Sequence, residues 1–143
     1  MPSSTKRIVL VLTVFSTAIG LWMAASAQTI TPTSFTRQQA DEGHKSYAMN
    51  CASCHKADLS GGNAPALGGE TFSTNWGRHT VAELYSYVKA MMPYCDGGSL
   101  GNQEYADILA YILSANGARA GNRELTPNTG EKISDIIAPA AAK

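Results

Sequence analysis

The 143-residue sequence predicts a small all-α fold, and three observations carry that expectation. Tyr105, Ile108, Leu109, Ile112 and Leu113 form an i, i+3, i+4, i+7, i+8 apolar stripe, which marks a helix with one buried face. Thr80-Val81-Ala82-Glu83 is a capping box that opens a second apolar-periodic run. No stretch alternates in the manner of a strand, and no internal repeat is evident.

The chain opens with an export signal. Lys6 and Arg7 form a basic n-region, Ile8 to Ala25 is uncharged, and Ala25-Ser26-Ala27 is an A-x-A cleavage site that predicts a mature start at Gln28. Residues 1–27 are therefore read as a signal peptide. The uncharged run reaches the low end of a membrane-spanning length, so an uncleaved anchor is the alternative, and only in that case would the protein meet the membrane. The formal net charge is +0, and losing Lys6 and Arg7 with the signal makes the remainder slightly acidic. Nucleic acid binding, which needs a basic stripe, is not expected.

Residues 28–35 are a Thr/Pro-rich extended lead-in. A first helix is expected from near Thr36 to about Cys51, with Ala40, Gly43, Tyr47 and Cys51 at helical spacing and Met49 read as core. Residues 56–77 are rich in Gly, Asn, Pro and Ser and are expected as one long loop, a feature that is usually functional in a compact domain. The second helix carries Val81, Leu84, Tyr85 and Val88 on one face and stops ahead of Pro93. The third runs from about Asn102 to Ala115, with Asn116-Gly117 as a left-handed stop. The main domain is placed at 36–121. Residues 122–143 form a C-terminal extension, a strand-free wrap to about Ile137 with a frayed end.

Cys51-Ala52-Ser53-Cys54-His55 carries the chemistry. C-x-x-C-H is the attachment signature for c-type haem, in which both thiols bond to the porphyrin and the histidine takes the iron. Two cysteines three positions apart on a helical turn present both sulfurs to one edge of a flat macrocycle. A redox disulfide would want a thioredoxin-like βαβ setting, and a zinc site would want a second Cys/His pair at ligand spacing; neither follows. An export signal suits this chemistry. A buried haem would also supply apolar volume that a core of this size lacks.

The other face of the iron is open to His79, Met91, Met92 or Cys95. A thioether is a weak, soft donor, and His/Met ligation is the usual electron-transfer arrangement. Met92 precedes Pro93, which would stiffen the segment. Met91 is its near-equal rival, with a core role beside Val88 as its other reading.

Taken together, Gly43 and Tyr47, the C-x-x-C-H run, Gly61 to Leu67, Met92-Pro93, Gly98-Ser99-Leu100 and Glu104 to Leu113 resemble a class I cytochrome c over roughly residues 36–117. The third-helix run and the Asn116 to Gly121 tail are similar to haem domains and subunits that accompany quinoprotein alcohol dehydrogenases. The resemblance implies three main helices wrapped around one covalent haem c. It implies His55 and Met92 as iron ligands, the Pro65 carbonyl as acceptor for the proximal imidazole, and Trp76 or Arg78 at a haem propionate. Gly43 would be the crossing point of the first and third helices, against an aromatic such as Tyr105. A bulkier residue there is expected to cost about 1–3 kcal/mol.

Cys95 departs from the family pattern, which has a small neutral residue there. It is read as a free, partly buried thiol, with a disulfide-linked dimer and iron ligation as the competing readings. The function expected is a periplasmic one-electron carrier, not an enzyme, working between an exported dehydrogenase as donor and an oxidase or other cytochrome as acceptor. The alternatives are a haem subunit of a dehydrogenase complex, and a haem peroxidase or gas-binding protein whose distal ligand can be displaced.

Overall fold

The computed structural model describes residues 35–137. The signal peptide or anchor at 1–27, most of the lead-in, and the end after Ile137 lie outside the described residues. Six helices are present among those residues: α1 (Arg37–Asn50), α2 (Ala52–His55), α3 (Gly69–Trp76), α4 (Val81–Met91), α5 (Asn102–Ala115) and α6 (Ile133–Ile136). Only two isolated β-bridges accompany them, Thr36 with Gly121 and Thr80 with Lys132. No described helix is long and apolar enough to cross a membrane.

α1 starts at a capping box the sequence reading missed: Thr36 Oγ1 accepts the Gln39 N–H, and Gln39 Oε1 accepts the Thr36 N–H. Its inner face is Gln39, Ala40, Gly43 and Tyr47. Met49, read as core, is 74% exposed. Two residues beyond Tyr47 is roughly 200° of helical turn, which puts it on the opposite side. α4 begins at the Thr80–Glu83 capping box and buries Val81, Leu84 and Tyr85. α5 buries seven side chains, including the whole predicted stripe, and ends where Gly117 takes a φ of 91°.

α1 and α5 cross in backbone contact. A Cβ added at Gly43 would land on the Asp107 carbonyl, so only glycine permits this approach. The crossing is therefore against the Asp107–Ile108 backbone and not against the Tyr105 ring. Instead, Tyr111 stacks across the helix pair, its ring centroid 5.2 Å from Tyr47 and 4.7 Å from His44.

The expected loop at 56–77 needs correcting, because its second half is α3. That helix buries one side chain fully, Phe72, which is 1% exposed, and packs Trp76 half-buried on the core. Phe72 and Trp76 make an i, i+4 apolar pair, but the rest of Gly69–Trp76 is mostly Gly, Ser, Thr and Asn, which favour helices little, so the short segment reads as loop. Its turn leads directly into the cap of α4: the Gly77 N–H donates to Ser73 O and the His79 N–H to Trp76 O.

The C-terminal segment is a strap. Leu125, Ile133, Ile136 and Ile137 bury their side chains. The strap's carbonyls accept the first free N–H groups of α4, Val81 to Glu131 and Ala82 to Thr129. In return Ile133 and Ser134 donate to the carbonyls of His79 and Gly77.

Candidate functional site

Cys51 caps the end of α1, its N–H donating to Tyr47 O at 2.9 Å. The chain then turns once as α2, with the Cys54 and His55 N–H groups both donating to Cys51 O, at 3.2 and 3.0 Å. That turn brings positions three apart onto one side, the spacing that attachment of two sulfurs to one macrocycle edge would need. Both cysteines are free thiols, Cys51 half-buried and Cys54 exposed. Burial, with Glu104 and Cys54 nearby, pushes the Cys51 thiol up to about 11, so it is neutral at pH 7.

His55 is 8% exposed. Its Nδ1 lies 2.7 Å from the Pro65 carbonyl oxygen. A carbonyl can only accept, so Nδ1 is the donor, and in the neutral ring that tautomer leaves the Nε2 lone pair for a metal. Two thiols and one such imidazole are the donor set that a covalently attached haem requires, and the residues fit the group.

Pro65 is held in place by the loop folding back on the attachment turn. Gly61 N–H donates to His55 O at 3.0 Å, Ala64 N–H to Cys54 O at 3.2 Å, and Leu67 N–H to Leu59 O at 2.9 Å. Gly61 has a φ of 81°, a region glycine tolerates. The Tyr47 hydroxyl closes the near side by donating to Lys56 O at 2.7 Å. Asn116, read from the sequence only as a helix stop, donates to Leu67 O and accepts the Gly69 N–H, both at 2.9 Å.

Met92 is the C-cap of α4 and half-buried, whereas Met91 is 53% exposed. The Tyr105 hydroxyl donates to the Met92 carbonyl at 2.6 Å. On the other side, Asn50 Nδ2 donates to Glu104 Oε1 at 3.1 Å, next to Cys51. The attachment turn and the Met92 loop thus meet on consecutive residues of the first turn of α5.

Trp76 is half-buried on the core, its ring 5.3 Å from His79 and 5.1 Å from Tyr87. Arg78 is exposed, and His79 Nδ1 lies 3.6 Å from Glu83 Oε2. No hydrogen bond among the described residues joins Trp76 or Arg78 to the cysteines, His55 or Met92. Cys95 is exposed, with a φ of 69°, beside the 83%-exposed Tyr94. Partial burial of that thiol is accordingly corrected: it stands at the tip of the 92–98 loop, away from the core. Tyr105 and Asn116 stand in the sequence as a stripe residue and a helix stop, and no motif announces the bonds by which they hold the loops.

The sequence model of the family described as cytochrome C oxidase, cbb3-type, subunit III, matches residues 38–112. Two curated relatives are similar to the chain, both named thiosulfate dehydrogenase. That of Psychrobacter arcticus is 29% identical over 104 residues, covering 67% of this chain and 32% of that protein. That of Stutzerimonas stutzeri is 31% identical over 80 residues, covering 51% and 26%. The chain thus spans about a third or less of the relatives' length. No solved structure matches at a significant level.

These relatives overturn one expectation from the sequence. The chain was expected not to be an enzyme, yet the proteins it resembles are named for an enzymatic activity. The expectation came from the closed iron site that the resemblance implies, and a closed haem elsewhere in a longer enzyme has the same local sequence. Neither the matching family nor the two relatives name an alcohol dehydrogenase.

Proposed function

We propose, from the premise that the chain belongs to the cytochrome c family of cbb3-type oxidase subunit III and carries covalent haem c through Cys51 and Cys54, that it transfers single electrons in the periplasm through a His/Met-ligated site. The observation that supports this reading best is the 2.7 Å contact of His55 Nδ1 with Pro65 O, which leaves Nε2 as the ring nitrogen that could take the iron. Bound haem c supplies a metal centre that takes up and releases one electron.

The chain's residues do the rest. Cys51 and Cys54 would hold the macrocycle edge, and Pro65 would orient the His55 ring and raise its basicity. Met92 would offer a second iron donor, a soft sulfur. Leu67, Val88 and Leu100, half-buried against the core, would keep water from the group. The Trp76 indole N–H and the Arg78 guanidinium would face the propionates. The donor would be an exported dehydrogenase, and the acceptor an oxidase or another cytochrome, docking weakly and transiently.

The shared name of the two relatives favours a second reading, in which this haem domain serves an oxidoreductase that acts on a sulfur compound. One set of spectra separates the readings. A weak near-infrared band in the oxidised protein, lost in Met92→Ala and kept in Met91→Ala, with no carbon monoxide binding after reduction, supports the His/Met site. Rapid carbon monoxide binding by the unsubstituted protein overturns it. Reduction of the oxidised protein by thiosulfate alone would favour the second reading, and reduction only through a protein donor the first.

A further inference from the structure

Tyr105 is 1% exposed, and its hydroxyl uses its full hydrogen-bonding capacity on one loop. It donates to Met92 O at 2.6 Å and accepts the N–H groups of Gly98 at 3.0 Å and Leu100 at 3.5 Å. Between those anchor points the chain closes on itself: Asp96 N–H donates to Pro93 O at 2.9 Å and Ser99 N–H to Asp96 O at 3.2 Å. Gly97 lies so close to the end of α4 that a Cβ there would collide with the Ala90 carbonyl. Both ends of the loop are thus gathered on a single phenol, which α5 presents from the core.

We propose that Tyr105 is the positioning residue for the distal ligand: its hydroxyl pins the Met92 backbone and thereby sets how often the Met92 sulfur leaves the iron. This rests on the reading of Met92 as the distal ligand. A thioether is a weak donor, so its occupancy of the iron depends on how firmly the chain holds it. Beyond the phenol, the Met92 backbone is held by its own N–H donating to Val88 O at 2.8 Å. Without the phenol, the Met92 carbonyl and the Gly98 N–H lose their partner, and the loop gains a reason to move.

The test is Tyr105→Phe in the haem-loaded protein. The ring keeps its edge-on packing against Tyr85, centroids 6.4 Å apart, so only the hydroxyl is lost. Carbon monoxide should bind the reduced variant roughly tenfold faster than the parent, the factor that matches about 1.4 kcal/mol. The near-infrared band of the oxidised variant should also disappear at lower pH. Tyr85→Phe is the control: it removes a phenol bond to Asn102 O of 3.2 Å at the same α4–α5 contact without touching the loop, and it should leave both readouts unchanged. Parent-like rates and band in Tyr105→Phe overturn the proposal, as does an equal effect from Tyr85→Phe. If the parent shows the band and Met92→Ala loses it, such a failure belongs to Tyr105 alone. If Met92→Ala keeps the band, the ligand reading fails, and the proposal falls with it.

Discussion

Asp107 shows how one residue serves two purposes at the helix crossing. Its backbone carbonyl faces Gly43, so its side chain leaves the crossing half-buried, accepting a hydrogen bond from Gln103 Nε2 at 2.8 Å. Burial raises the carboxyl above its ordinary range; hydrogen bonds from Gln103 and Gln39 pull it back, and the charges of Glu124 and Glu42 push it further up. A carboxyl raised on folding binds its proton more tightly in the folded state, so its contribution to stability falls as pH rises from the unfolded value toward the folded one. Asn keeps the acceptor for Gln103 and cannot ionise. Asp107→Asn should therefore match the parent below the ordinary carboxylate range, gain on it as pH rises from there through the raised value, and hold that gain above it. Thermal melts of the haem-loaded pair across that range check this. A constant difference in melting temperature would mean that the carboxyl is not destabilised.

At the scale of elements, what was legible depended on pattern. α4 and α5 showed themselves through a capping box and an apolar stripe, and the attachment turn through three scarce residues in fixed order. α3 did not, because it is short, Phe72 is its one fully buried side chain, and tertiary contact stabilises a poor helix former. The site divides in the same way. Cys51, Cys54 and His55 are a motif, and Pro65 and Met92 came by resemblance. Tyr105, Asn116 and Gln39 act through side-chain bonds to distant backbone, which no local spacing encodes. Gln39 is the sharpest case. Besides capping α1, its amide reaches the strap, with Nε2 donating to Leu125 O at 3.0 Å and Oε1 accepting the Leu125 N–H at 2.7 Å, all buried. Gln39→Ala would leave both Leu125 groups without partners, at about 1–3 kcal/mol for each. Chemical denaturation of the haem-loaded variant should show that loss, and an unchanged midpoint would mean that water replaces the amide.

For the whole molecule, the family match ends at residue 112, but the packing does not. Residues beyond it fill the core with Leu125 and Ile133 and satisfy the first N–H groups of α4. They also grip the Gly77–His79 connection that carries Arg78 and follows Trp76. The strap therefore holds the backbone beside Trp76 and Arg78, the side chains proposed for the propionates, and its loss should be felt first where it bonds. Ending the chain after Gly121 should free the Val81 and Ala82 N–H groups, uncover the part of α3 on which α6 packs and leave the Gln39 amide without Leu125. The Cys51–His55 turn and the Gly43–Asp107 crossing should stay formed. Trp76 is the sole tryptophan after the predicted cleavage site, and a nearby haem quenches indole emission. The truncated, haem-loaded protein should fluoresce more brightly than the full chain and melt at lower temperature, yet keep the reduced absorption spectrum of an attached haem. If emission stays quenched and the melt is unchanged, the strap contributes nothing to the α3–α4 corner. If the haem spectrum is lost as well, the strap supports the whole fold and not that corner alone.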